Sequence, residues 1–171
     1  MIFFKIIVSL AIFCITTYIG IEKARSLKER EEILKDVITF LKLVQSEMIY
    51  MANLLPNAYE RSRQKLNSVF KDVIGTIVVD MLKVESSEMS FSIKKNISLL
   101  NSLQDYDKEV VISILMNLGR GDIDSQNNII ENGITLIKAQ MKEANEIKLK
   151  NSKLYQTIGA ITGLLIVIIF I

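Results

Sequence analysis

Histidine is absent from this chain of 171 residues, and cysteine and proline occur once each. Without histidine the chain lacks the usual ligand of zinc sites and the usual general base of enzymes. The one cysteine, Cys14, lies in an apolar stretch, so the polar part of the chain has neither a disulfide nor a thiolate metal site. A phosphate-binding glycine loop and a dinucleotide fingerprint are also missing. These absences argue against an enzyme, and we expect no catalytic, cofactor-binding or metal-binding residues.

One acidic cluster, formed by Asp105, Asp107 and Glu109, has the composition of a calcium site. The spacing of a calcium-binding loop and its closing bidentate glutamate are missing, however. We therefore interpret Asp105 or Asp107 as the solvated cap of a helix that covers residues 108–118.

The charges of the chain are nearly balanced, with 21 Lys and Arg against 19 Asp and Glu and a net charge of +2. Nucleic-acid binding driven by counterion release is not expected at so small an excess of positive charge, so we exclude that class. Half of the residues are hydrophobic and 23% are charged, which requires that the apolar residues be segregated along the chain. They concentrate at its two ends.

Two stretches almost free of charge lie at the ends of the sequence. Residues 2–21 contain one charged side chain, Lys5, and residues 155–171 contain none. A helix over residues 154–171 would span roughly 27 Å, close to the thickness of the hydrocarbon core of a bilayer. We predict transmembrane helices at residues 1–21 and 155–171. A cleaved signal peptide is the alternative for the first stretch, but bulky residues at the expected cleavage position disfavour it.

Basic residues flank both apolar stretches on their polar sides. They are Lys23, Arg25, Lys28, Arg30 and Lys35 after the first stretch and Lys142, Lys148, Lys150 and Lys153 before the second. Because basic flanks stay on the cytoplasmic side of a membrane, both sets indicate the same topology. We predict a cytoplasmic domain at residues 22–154, anchored in the cell membrane at both of its ends.

Two long amphipathic helices are predicted next to the apolar stretches. Residues 22–51 contain neither glycine nor proline, and apolar side chains recur there every three or four positions. This seam comprises Leu34, Val37, Leu41, Val44, Met48 and Met51, and a second seam comprises Ile130, Ile134, Ile137, Met141 and Ala144. Pairing would bury both seams, so we predict an all-α helical bundle whose two long antiparallel helices continue into the transmembrane helices.

Three or four short helices are predicted between the two long ones. Pro56 suits the first turn of a new helix, so the segment Asn53-Leu54-Leu55-Pro56 ends the first long helix. Helices follow at residues 56–73, 76–84, 88–100 and 108–118, and Gly75 ends or bends the first of them. We interpret Ile77-Val78-Val79 as helix because no second strand is available for pairing. Gly119 or Gly121 is expected to close a helix in the left-handed conformation, and Asp122 to cap the last helix.

Gly159 and Gly163 form a pair of small residues four positions apart in the last apolar stretch. This spacing lets two membrane helices approach closely. The partner helix could belong to a second copy of the chain, to the chain's own first apolar stretch or to another subunit, or the pair could have no specific partner. The sequence leaves these alternatives open.

Three patches of the sequence share residues with one known family. They are Gly119, Asp122 and Gln126; Leu43, Glu47, Tyr50, Leu55, Pro56 and Ala58; and Lys153, Tyr155, Gly159 and Gly163. On these residues the chain resembles the stage III sporulation protein AB family of endospore-forming bacteria over nearly its whole length. The resemblance implies a helical cytoplasmic domain similar to those of type II secretion platform proteins of the F kind.

The same resemblance implies a location and partners. The protein would be anchored in the mother-cell membrane around the forespore and would belong to the channel that joins the two cells. Its partners would be a cytoplasmic secretion-type ATPase of the same operon and other channel components.

We therefore expect a non-enzymatic, membrane-anchored component of this secretion-like complex that serves as a platform for the ATPase. The residues expected to form a recognised surface or to set its shape are Glu47, Tyr50, Pro56, Gly119, Asp122 and Gln126, which could equally be caps and turn residues. The alternative is a membrane-tethered coiled-coil interaction or sensor protein without a secretion role, which would form homo-oligomers. A third possibility is an extracytoplasmic domain behind a cleaved signal.

Overall fold

The structure is a computed structural model that describes the backbone at residues 2–51, 53–83 and 86–170 and the side chains at residues 8–49, 51, 53–83 and 88–168. Within these ranges the chain forms six α-helices and no strand. The helices are α1 (Ile2–Gln45), α2 (Leu55–Arg63), α3 (Phe70–Lys83), α4 (Ser86–Ser98), α5 (Asp105–Asn117) and α6 (Ile123–Phe170), and a π-helical turn (Ser46–Tyr50) follows α1. The predicted all-α class with two long helices is confirmed.

The transmembrane helices predicted at residues 1–21 and 155–171 fall on the first part of α1 and the last part of α6. Across the residues that the structure describes, no helix combines the length and the apolarity needed to cross a membrane. The structure therefore does not support the predicted spans.

The chain divides into two compact units. The terminal unit comprises Met1–Glu29 and Glu143–Ile171, and the central unit comprises Arg30–Lys142. Helices α1 and α6 contribute to both units. The two units are defined by contacts between residues. The domain boundaries predicted after residues 21 and 154 rest on hydrophobicity instead, and they stay a prediction.

In the terminal unit α1 and α6 run antiparallel and meet at glycines. A Cβ atom added to Gly159 would lie 2.9 Å from the carbonyl oxygen of Thr16 and 3.2 Å from the Cα atom of Gly20. A Cβ atom added to Gly163 would lie 2.8 Å from the ring of Phe13. Because only a hydrogen atom fits at these two positions, the small residues of α6 let it pack closely against the chain's own first helix.

The central unit is built around one buried stripe of α1. Its members are Ile33, Leu34, Val37, Phe40, Leu41 and Val44, which are at most 2% exposed. The buried residues of α6 in this unit include Ile130, Ile134 and Ile137. The predicted seams are confirmed at these positions. Met51 is 59% exposed, so its predicted place in the seam is wrong. The π-helical turn before it holds more residues per turn than an α-helix, which moves Met51 away from the stripe.

An aromatic cluster packs the short helices α2 and α3 against α1. The ring of Phe40 meets that of Tyr59 edge to face at a centroid distance of 4.9 Å and that of Phe70 at 5.7 Å. All three side chains are fully buried. Edge-to-face pairs of this kind add about 0.5–1.5 kcal/mol each beyond the area they bury. The cluster therefore joins α1, α2 and α3 in one core.

The single helix predicted at residues 56–73 is wrong, because a turn separates α2 from α3. Asp36 on α1 accounts for the turn: its Oδ2 atom accepts hydrogen bonds from the backbone N–H groups of Asn67 at 2.8 Å and Ser68 at 2.6 Å. The hydroxyl of Ser68 accepts a further bond from the N–H group of Phe70, where α3 begins. The Asp36 carboxylate, which is distant in sequence, thus stabilises a turn at residues 67 and 68 although the local sequence favours a continuous helix.

Helix α3 runs through Gly75, so of the two predicted alternatives the one in which Gly75 ends a helix is wrong. The β-branched run at residues 77–79 is helical as predicted, and Ile77 and Val78 are buried. Burial of this face outweighs the modest preference of such residues for strands.

Candidate partner-binding site

The turn between α5 and α6, residues 118–122, has a left-handed backbone at two glycines. The φ angle is +83° at Gly119 and +90° at Gly121, a region that other residues rarely adopt. The left-handed conformation predicted for either Gly119 or Gly121 is therefore present at both. A Cβ atom on Gly119 would also lie 2.8 Å from Cδ2 of Leu55, at the start of α2. The glycine thus allows close contact between this turn and α2.

Gln126 holds the turn in place from the first part of α6. Its Oε1 atom accepts a hydrogen bond from the backbone N–H group of Gly119 at 2.8 Å. Its Nε2 atom donates to the carbonyl oxygen of Arg120. The side chain is 5% exposed. A primary amide offers an acceptor and a donor together, so one side chain satisfies two backbone groups of the turn.

Asp122 caps α6 as predicted. Its Oδ1 atom accepts a hydrogen bond from the backbone N–H group of Ser125 at 2.8 Å. This bond, and then the bond from the Ser125 hydroxyl, lower the pKa of Asp122 below its usual range. The carboxylate is therefore ionised at neutral pH and already engaged at the helix terminus.

A cleft of 380 Å³ lies beside this turn. Pro56, in the first turn of α2, faces it together with Gly119. The rest of the lining, from the helices α2, α3, α4 and α5 and from the turn itself, is Leu55, Met81, Met89, Ser90, Ile93, Leu115, Met116, Leu118 and Arg120. Of the six predicted site residues, the structure thus brings Pro56 and Gly119 to one cleft, while Gln126 holds the wall that Gly119 belongs to.

Glu47 lies apart from the lining of this cleft, in the π-helical turn. Its Oε2 atom accepts a hydrogen bond from Nδ2 of Asn53 at 2.7 Å and lies 3.7 Å from Nη1 of Arg61. Its carbonyl oxygen accepts the N–H group of Asn53 as well. Glu47 thus stabilises the chain reversal before α2. The side chain of Tyr50 lies outside the described residues.

The cleft carries charge of one sign. Arg120 is its one charged lining residue among those described, and no carboxylate lines it. The guanidinium group is exposed and forms no ion pair with any described residue. Apart from Ser90 and Gly119, the remaining lining residues have aliphatic or thioether side chains. The arrangement can bind an apolar group and a negative charge together.

A buried ion pair was missed by the sequence interpretation. Arg30 donates to Asp107 from Nε to Oδ2 at 2.7 Å and from Nη2 to Oδ1 at 3.0 Å, and their side chains are 3% and 0% exposed. The solvated cap predicted at Asp105 or Asp107 is therefore wrong. Gln104 is the N-cap of α5, and its backbone N–H group donates to Asp107 at 3.0 Å.

A signal for this pair exists in the sequence. Arg30 precedes Ile33 and Leu34 by three and four residues, and Asp107 precedes Val110 and Val111 by the same steps. Residues at such steps share one face of a helix. Each charged residue thus extends a buried apolar stripe, where an unpaired charge would be too costly.

The described residues contain no group of three or more His, Cys, Asp or Glu side chains that could hold a metal ion. Fold and cleft together define a class: an all-helical protein in which two long helices carry four short ones, with an apolar cleft and one unpaired guanidinium among the described residues.

The chain belongs to the stage III sporulation protein AB family, whose family model matches residues 5–171. A curated relative, "Stage III sporulation protein AB" of Bacillus subtilis (strain 168), is 24% identical over 168 residues, which cover 96% of this chain and 98% of that protein. No solved structure matches the chain. The resemblance identified from the sequence is confirmed, and membership of this family indicates a role in sporulation.

Proposed function

We propose that the chain is a non-enzymatic component of the secretion-like channel complex between mother cell and forespore, and that its central unit is a docking platform for a cytoplasmic secretion-type ATPase. Other channel components would complete the complex. The family supports a role in endospore formation. The observation that carries the docking role is the cleft at the α5–α6 turn, whose lining side chains are mostly aliphatic or thioether and include the guanidinium of Arg120, which is unpaired among the described residues.

The terminal unit would hold the protein at the mother-cell membrane, with the central unit in the cytoplasm. Large apolar side chains of this unit are exposed, which is typical of surfaces that contact lipid or another protein. They include Leu10, Ile15, Tyr18 and Ile19 on α1 and Leu154, Ile158, Ile161, Leu164, Leu165 and Ile168 on α6. The absence of charge in residues 155–171 and the basic flank before them support the same location.

The alternative of a coiled-coil sensor needs an exposed apolar seam for a second helix. The seam of α1 is buried from Leu34 to Val44 within the central unit, which favours the docking role. Stable homo-oligomers of the chain without a bound ATPase would instead favour the sensor.

Co-purification from membranes of sporulating cells tests the docking role. The tagged wild-type chain should recover the ATPase. Ser90→Trp fills the cleft from α4 and should lower recovery at least tenfold per folded molecule, whereas Ser98→Trp, on the exposed end of the same helix, should retain it. Circular dichroism establishes that both variants are folded. Wild-type material that recovers no ATPase would refute the proposal.

A further inference from the structure

We propose that the cleft at the α5–α6 turn binds an amphipathic helical segment of a partner protein, which inserts an apolar side chain among the methionines and pairs a carboxylate with Arg120. This inference rests on the proposed docking function and deepens it, because it states what the docked segment must present.

The volume and lining of the cleft fit side chains rather than a cofactor. Its 380 Å³ lies near the lower end of the range of about 300–1,000 Å³ for ligand sites. Met81, Met89 and Met116 contribute three flexible thioethers. Methionine adapts to apolar groups of different shape and is frequent on surfaces that bind amphipathic helices. One or two apolar side chains of a helix, three or four residues apart, are the matching occupant.

The charge of the cleft selects a negative group on the same segment. Arg120 has no acidic partner among the described residues, and the nearby Asp122 carboxylate is engaged by the N–H group of Ser125. The uncapped first turn of α2, which includes Pro56, adds partial positive charge at the same edge. A guanidinium presents a planar fork that matches a carboxylate in two hydrogen bonds. Charge complementarity therefore favours an acidic residue over a neutral or basic one.

The backbone that carries Arg120 is held before any partner arrives. Gln126 binds the carbonyl oxygen of Arg120 and the N–H group of Gly119, and Gly119 packs against Leu55. A wall already in its bound geometry loses little conformational freedom on association. Gln126 is thus a positioning residue for the cleft, which accounts for a buried amide next to an exposed turn.

Photocrosslinking of the full chain in sporulating cells tests this inference. A benzophenone amino acid replaces Met116, at the cleft, and crosslinked peptides are identified by mass spectrometry. The expected peptide comes from another protein and has apolar residues with an Asp or Glu within one helical turn. Arg120→Glu should lower the yield about tenfold, the loss expected for one hydrogen bond to a charged group. Lys95→Glu makes the same change of charge on α4 outside the lining and should leave the yield within about twofold.

Reversal of the partner's acidic residue to Lys should restore crosslinking to the Arg120→Glu chain. An unchanged yield with Arg120→Glu, a peptide without an acidic residue, crosslinking to lipid or crosslinking to a second copy of this chain would each overturn the inference.

The experiments distinguish failure of this inference from failure of the proposed docking function. If the ATPase is recovered equally by the Arg120→Glu chain, the docking function stands and the inference falls. If wild-type material recovers no ATPase but Met116 crosslinks an acidic segment of another protein, the chemistry of the cleft stands and the ATPase is not its partner.

Discussion

At the scale of single residues, the central unit carries polar groups in places where water does not reach. Arg30 and Asp107 form two hydrogen bonds with each other, whereas the hydroxyl groups of Tyr59 and Ser62 have no hydrogen-bond partner among the described residues. A buried polar group without a partner costs roughly 1–3 kcal/mol. The two situations lead to opposite predictions for removal of the polar group.

Replacement of Tyr59 by Phe should raise the free energy of unfolding of the full chain by about 1 kcal/mol, because it removes an unpaired hydroxyl and keeps the ring against Phe40. Tyr106→Phe, at a side chain that is 53% exposed, should change it by less than about 0.5 kcal/mol. Urea denaturation of detergent-solubilised protein measures both values. A loss of stability in Tyr59→Phe would reveal a partner for the hydroxyl.

The same residue predicts a dependence on alkaline pH. Burial raises the pKa of Tyr59 far above its ordinary value, so the folded chain keeps the phenol protonated where the unfolded chain ionises. Its contribution to stability is complete below about pH 10, the ordinary tyrosine pKa, and falls as the pH rises above it. The stability advantage of Tyr59→Phe over wild type should therefore widen above pH 10. A constant difference between the two proteins from pH 8 to pH 11 would contradict this.

The buried pair between Arg30 and Asp107 should show strong coupling in a double-mutant cycle. Arg30→Met alone leaves a buried carboxylate, and Asp107→Leu alone leaves a buried guanidinium, so each should lower the free energy of unfolding by about 3–5 kcal/mol. The double variant should lie within about 1 kcal/mol of wild type, the remaining loss being the capping bond to Gln104. Chemical denaturation of the four proteins gives the coupling. Additive single effects would mean that the pair does not stabilise the fold through mutual charge.

At the scale of elements, the turn between α5 and α6 is defined by two glycines in similar conformations but different surroundings. Gly119 is in contact with Leu55, while a Cβ atom on Gly121 would approach nothing nearer than 3.4 Å, the Cβ atom of Ser125. Substitutions at the two glycines therefore separate the cost of a left-handed backbone from the cost of moving the Leu55 side chain.

Gly121→Ala should lower the free energy of unfolding by about 1–2 kcal/mol, the cost of a side chain in the left-handed region. Gly119→Ala should cost about 0.5–1.5 kcal/mol more, because the new methyl group overlaps Cδ2 of Leu55 and forces that side chain out of its preferred rotamer. Thermal or urea unfolding measures the difference. Trimming Leu55 to Ala in the Gly119→Ala chain should remove the added cost, and equal effects of the two glycine variants would show that the contact with α2 is unimportant.

At the scale of the whole molecule, the elements that sequence reasoning predicted well are those with a regular local pattern. Apolar steps of three and four residues gave the two long helices, and Pro56 and Asp122 marked helix starts correctly. The division of α2 from α3 could not be predicted, because it depends on Asp36, which is distant in sequence. The exposure of Met51 follows from a π-helical turn, which no residue type in that segment predicts.

The candidate site likewise has a part that was predicted from the sequence and a part that was not. The glycines and the helix cap of the α5–α6 turn were expected from residue type, and the structure adds what each touches. The cleft itself was not predicted, since its walls come from helices that only the folded chain brings together. The predicted role of Glu47 and Gln126 in partner binding stays a prediction, and both side chains make hydrogen bonds within the chain.

The terminal unit joins residues 1–29 to residues 143–171, so its first strip of helix is synthesised before the central residues and its second strip after them. Residues 30–142 are synthesised between the two strips and form a compact unit of their own. Domains generally fold as they emerge, the earlier-made parts first. During synthesis of the central residues, the first strip therefore lacks the contacts that residues 143–171 later make with it. Its apolar side chains stay without that packing for the whole of this time.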